Sequence, residues 1–140
     1  HAELLGPDAA EYLRINTNSH SASPSAADFF FFSGEDTRAS ALIHEAKVGL
    51  PAYPESGATI VVFVSRLGKS SHVGGLQLEL TGPGIETREI VFVEGLRPEI
   101  LAAIKEKNRE FPLGVDAIFV SAEETLLCLP RTTRVLVTKL

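Results

Sequence analysis

Two short apolar runs, Ala117–Ser121 and Leu126–Leu129, stand on either side of the polar break Ala122-Glu123-Glu124-Thr125. Runs of this length around a short polar break predict two neighbouring strands joined by a tight turn. Neither run alternates polar with apolar residues. That predicts strands covered on both faces, and a hairpin in the interior of a sheet rather than at its rim. Pro112 and Gly114 shape the approach to the first strand, and Pro130, which has no backbone donor, closes the second. With the turn near Glu123 and Glu124, Asp116 and Arg131 fall at about the same level on adjacent strands. The expectation is a cross-strand ion pair, or Asp116 accepting from the backbone of the Arg131-Thr132-Thr133 segment.

The chain ahead of this ribbon reads as alternating helices and strands. Asp8 and Glu11 have the spacing of a capping box, and Ala9, Tyr12, Leu13 and Asn16 share one face of a short helix. His20–Ala27 is a Ser/Ala-rich loop. Phe29-Phe30-Phe31-Phe32 is the densest hydrophobic stretch and predicts a strand buried on both faces, in preference to an aromatic ligand site. A second helix, capped by Asp36 or Thr37, buries Ala39, Leu42, Ile43 and Ala46 and stops at Gly49. Ala58–Val64 is another covered strand, Arg66–Gly75 a polar loop, and Leu76-Gln77-Leu78-Glu79-Leu80 a strand with one wet face. Gly82-Pro83-Gly84 turns the chain into Glu89–Val93, which completes an antiparallel meander of three strands.

A third helix over Pro98–Glu110 begins at a proline whose missing donor costs nothing there. Its inner face carries Ile100, Leu101, Ile104 and Phe111, with Glu106–Arg109 and Lys107–Glu110 pairing on the outside. Val135-Leu136-Val137 suggests a final strand, or an arm onto a partner. The sum is a single α/β domain over residues 1–140: one mixed sheet flanked by about three helices.

Composition narrows the function. With 140 residues, 44% hydrophobic and 22% charged, the chain can bury an ordinary core. No apolar run approaches the roughly 20 residues that span a bilayer. The net charge of −5, without a basic cluster, argues against a nucleic-acid surface. The one cysteine, Cys128, lies in a predicted strand as an inert core thiol, and a single cysteine rules out an intramolecular disulfide, which makes a reducing cytoplasm the natural compartment. His1, His20, His44 and His72 show no paired metal-ligand spacing, and a lone cysteine cannot hold an iron–sulfur cluster. Gly68-Lys69-Ser70 resembles the end of a phosphate loop, but Phe63 stands where that loop needs glycine.

The polar set Arg131, Thr132, Thr133 and Arg134 has two readings. In one, Arg131 binds an anionic phosphonate or triphosphate group through its forked donors. In the other, Arg131 balances Asp116, the threonines satisfy backbone at a strand end, and Arg134 lies at the surface or an interface.

The phrase Phe111–Asp116, the apolar hairpin and Leu129–Thr133 together resemble the H-subunit family of the carbon–phosphorus (C–P) lyase core complex. Ser56-Gly57-Ala58-Thr59-Ile60 and Leu80-Thr81-Gly82-Pro83-Gly84-Ile85 extend the likeness in the same order, and Ala10–Asn16 does so more loosely. The Ala122–Thr125 turn is about one residue longer than the family's. The resemblance implies a fold like that of pyridoxal-phosphate-dependent transferases with the cofactor lost. None of Lys47, Lys69, Lys105, Lys107 and Lys139 stands in a context that would restore it. It also implies an accessory role beside G, I and J subunits, and a homodimer when isolated. The complex transfers an alkylphosphonate onto the ribose of ATP with release of adenine, the catalytic groups lying on other subunits. Members carry a further N-terminal segment, so a chain without methionine that opens on His1 is expected to lack it. The rival is a stand-alone small-molecule binder or transferase of vestigial pyridoxal-phosphate type. It requires a concave pocket with converging polar groups and ligand binding by the chain alone.

Overall fold

The computed structural model describes residues 6–70 and 75–139. In chain order its elements are α1 (Pro7–Thr17), β1 (Phe29–Ser33), α2 (Ala39–Glu45), β2 (Thr59–Val64), β3 (Arg66–Gly68), β4 (Leu76–Thr81), β5 (Glu89–Glu94), α3 (Pro98–Lys107), β6 (Asp116–Ser121), β7 (Leu126–Leu129) and β8 (Arg134–Lys139). They form two four-stranded sheets, ordered β1-β2-β6-β7 and β3-β5-β4-β8. In the first, β1, β2 and β6 run parallel and β7 antiparallel; the second is antiparallel throughout.

The register of the first sheet explains its core. Phe30, Ile60, Ala117 and Leu129 align across the four strands, and Phe32, Val62 and Phe119 form the next row on the same face. All seven are buried. Such rows follow from the two-residue period of a strand: every second residue points inward and meets its neighbours' equivalents. Ile43 of α2 and Ile100, Leu101, Ala103 and Ile104 of α3 are buried with them, and α2 packs against α3. In the second sheet Leu76, Leu78, Leu80, Val91 and Val93 point inward, and one hydrophobic cluster runs through both sheets.

The sheets meet where β2 runs on into β3. The Ser65 N–H donates to the Glu94 carbonyl at 2.9 Å and the Arg97 N–H to the Gly34 carbonyl at 2.8 Å. At Gly34 a Cβ would lie 2.1 Å from the Gly95 carbonyl oxygen, so this crossing admits no side chain.

Several expectations are corrected. The single mixed sheet is two sheets, because β2 pairs in parallel with β1 and β6 and does not join a meander with β4 and β5. The hairpin is only half interior: β6 is central, whereas β7 is an edge strand with Leu126 62% exposed and Cys128 exposed as well, hence not a core thiol. β1, expected to be covered on both faces, buries only alternate residues and leaves Phe29 51% exposed. Unbroken apolar runs report what a strand can bury, not whether a second layer covers it.

Local chemistry accounts for the other differences. Pro7 occupies the first helical position, which puts Asp8 inside the first turn, so no capping box forms and Glu11 pairs instead with Arg14 at 2.7 Å. None of the residues of α1 is buried. The Asp36 Oδ1 accepts from the Arg38 N–H at 2.8 Å ahead of α2, which ends at Ala46 in an extended conformation rather than at Gly49. Part of the expected loop is strand β3, paired with β5. α3 stops at Lys107, so Phe111 lies beyond it and is 69% exposed. The Lys107 Nζ donates to the His44 carbonyl at 3.0 Å instead of meeting Glu110, and Arg109 meets Glu106 through its backbone N–H, at 3.2 Å from the Glu106 carbonyl, and not through an ion pair. His1, His72 and Leu140 lie outside the described residues.

Candidate functional site

Asp116 begins β6 and Arg131 follows β7 by two residues, and the pairing of Ala117 with Leu129 brings them to the same level. Both expected contacts form. The Arg131 N–H donates to Asp116 Oδ1 at 2.8 Å, Nε to the same oxygen at 3.3 Å, and Nη2 to Oδ2 at 2.6 Å. Nη1 donates to the Pro54 carbonyl, a partner from a distant loop that strand pairing could not reveal. The Arg131 side chain is only 12% exposed, against 39% for Asp116. Burial pushes the Asp116 carboxyl up, but the side-chain bonds, backbone N–H and charge of Arg131 outweigh it and hold the group below its ordinary range.

The backbone around this pair leaves little room. A Cβ on Gly57 would sit 2.3 Å from the Gly114 carbonyl oxygen and 3.1 Å from Arg131 Nη1. The Asn108 Oδ1, just past the end of α3, accepts the Val115 N–H at 2.7 Å, and the Gly114 N–H donates to the Val48 carbonyl at 2.9 Å. Asn108 was not visible as a site residue from the sequence, because nothing in its spacing marks the strand it serves. The peptide bond between Phe111 and Pro112 is cis.

Beyond Arg131 the chain crosses the Gly82-Pro83 turn. The Thr133 N–H donates to the Pro130 carbonyl at 2.8 Å, and Arg134 opens β8 opposite Thr81. Thr132, Thr133 and Arg134 line one wall of a cleft of about 820 Å³, with α3 as the other wall. Lys105 of α3 and Arg109, two residues beyond its end, lie on the other wall, and their spacing in the sequence did not mark them as site residues. Gly68 lies in β3, and Lys69 pairs with Glu89 at 3.1 Å, so this segment forms no phosphate loop. Among the described residues no three His, Cys, Asp or Glu side chains gather into a metal-binding group, and no helix is long and apolar enough to cross a membrane.

Fold and site together define a two-sheet α/β domain whose polar cluster is made of donors, directed at one carboxylate, at backbone carbonyls and into a cleft. The chain belongs to the family described as bacterial phosphonate metabolism protein (PhnH), whose model matches residues 2–136. It is 41% identical over 115 residues to a Stutzerimonas stutzeri protein named as a C–P lyase subunit, HtxG, an alignment covering 82% of this chain and 54% of that protein. It is 38% identical over 88 residues to the alpha-D-ribose 1-methylphosphonate 5-triphosphate synthase subunit PhnH of Rhizobium meliloti, covering 62% of this chain and 40% of that one. The chain therefore spans about half the length of these relatives. The likeness read from Phe111–Asp116 and Leu129–Thr133 holds.

Proposed function

We propose that the chain is an accessory, architectural subunit of a C–P lyase complex in organophosphonate catabolism, supporting transfer of an alkylphosphonate onto the ribose of ATP with release of adenine. Its relatives' names support membership of such a complex. The observation that carries the architectural role is the outer face of the first sheet. Parallel strands are normally covered on both faces, yet here Phe63 is 40% exposed and Leu126 62% exposed, beside the exposed Cys128. Strand pairing puts Phe63, Val120 and Leu126 in one row, with Val61, Ile118 and Cys128 in the next. An apolar face of this kind is a surface for another chain.

The partners proposed are the G, I and J subunits, with a homodimer of the isolated chain, in the cytoplasm. Residues 1–140 act as one domain in this reading. The parallel β1-β2-β6 ladder is compatible with a transferase fold of pyridoxal-phosphate type that has lost its cofactor. Arg131 is structural, since each of its side-chain nitrogens already has an acceptor.

The test is co-expression with G, I and J subunits, followed by co-purification and an assay of adenine release with and without this chain. The expected result is a stable complex whose activity falls when the chain is omitted. The cleft favours the second reading, a stand-alone binder or transferase. Phosphonate turnover by the chain unaided would establish that reading and end the first.

A further inference from the structure

The cations of this chain are unevenly satisfied. From Arg14 to Arg97, every described lysine and arginine meets a carboxylate at 4.0 Å or less. Lys107 is tied to the His44 carbonyl, and Arg131 to Asp116 and Pro54. Lys105, Arg109 and Arg134 have no such partner among the described residues, and all three line the same cleft. No carboxylate lines it with them. In a chain with 18 carboxylates and a net charge of −5, unpaired cations gathered in one concavity free of acids concentrate a positive potential there.

The geometry points to a binding site for a small polyanion carrying more than one phosphate or phosphonate group. Lys105 on α3 and Arg109 just beyond its end line one side, and Arg134 of β8 lines the other, so the charges are divided between two sides. A single anionic group engages one side; a ligand with two or more engages both. Thr132 and Thr133 add hydroxyl groups on the Arg134 wall. The volume of about 820 Å³ suits a small molecule, within the roughly 300–1,000 Å³ usual for such sites. Arg131 lines the cleft but is spent on the fold, so the specific donors are its neighbours. This inference does not depend on the assembly role: the chain can hold an anion whether or not it joins a complex.

Calorimetric titration of the purified chain at fixed ionic strength tests it, with inorganic tripolyphosphate, orthophosphate and a hexaglutamate peptide as probes. Tripolyphosphate is expected to bind saturably at one site per chain, and more tightly than orthophosphate. Lys105→Gln, Arg109→Gln and Arg134→Gln should each weaken it by about tenfold, the usual order for losing one charge-assisted hydrogen bond. Lys69→Gln makes the same charge change outside the cleft and should weaken binding by less than about twofold, because salt screens distant charges. None of the three cleft side chains bonds within the described fold, so their variants should keep the parent circular dichroism and melting temperature. No saturable tripolyphosphate binding, an equal loss in Lys69→Gln, or hexaglutamate binding as tightly as tripolyphosphate would each overturn the proposal.

Discussion

Arg131 fastens three segments at once: its own turn after β7, Asp116 at the start of β6 and the Pro54 loop. Removing its charge as Arg131→Met leaves Asp116 with no counter-charge and the Pro54 carbonyl with no donor. The expected loss is about 2 kcal/mol in urea unfolding, in the range for a hydrogen bond to a charged group and reduced by the solvent that reaches Asp116. The acid limb carries a separate signature. Asp116 has a folded value below its unfolded value of about 3.9. Such a carboxyl contributes stability above that pH and loses it as pH falls through the folded value. Asp116→Asn should therefore lower the urea midpoint at pH 7 and flatten its decline below about pH 4; parallel curves for parent and variant would refute the assignment. Gly57 sets the clearance for the same contact. Gly57→Ala drives a methyl to 2.3 Å from the Gly114 carbonyl oxygen and should cost about 1–3 kcal/mol by the same measurement, as overpacking does.

The helices differ in what holds them. α3 buries Ile100, Leu101, Ala103 and Ile104, whereas α1 buries nothing and depends on local contacts such as Glu11–Arg14. Surface ion pairs contribute little, so α1 amides should exchange with solvent far faster than those of α3 in native-state hydrogen exchange. Comparable protection in both would show that α1 is held by something other than its own residues. The same contrast explains what could be read in advance. The level of Asp116 and Arg131 was legible because a tight turn and a two-residue period fix a hairpin's register. The inner stripe of α2 was legible for the same kind of reason. The end of α3 was not, since Asn108 leaves the helix for the Val115 amide, a partner set by tertiary structure. Nor was the edge position of β7. Leu126-Leu127-Cys128-Leu129 is equally apolar in the centre of a sheet or at its rim, and only the neighbouring strands decide.

At the scale of the molecule, two sheets share one core but are finished differently. On the outer face of the second sheet the polar Gln77, Glu79 and Thr81 of β4 stand among Ile90, Phe92 and the 57% exposed Leu136. The first turns Phe63, Val120, Leu126 and Cys128 outward, residues that gain nothing from water. Apolar area removed from water is worth about 25 cal/mol per Å², and association costs take back most of it. A face of this kind therefore matters energetically only when a partner fits it over a broad area. Charge placed on its rim should leave folding alone and prevent the fit. Leu126→Lys together with Cys128→Lys alters exposed side chains on an edge strand, so stability should change by only about 0.5 kcal/mol for each substitution. Under the proposed architectural role, co-purification with G, I and J subunits and dimerisation of the isolated chain in analytical ultracentrifugation should be lost. Retention of both assemblies by a normally folded double variant would show that this face is not where the chain meets its partners.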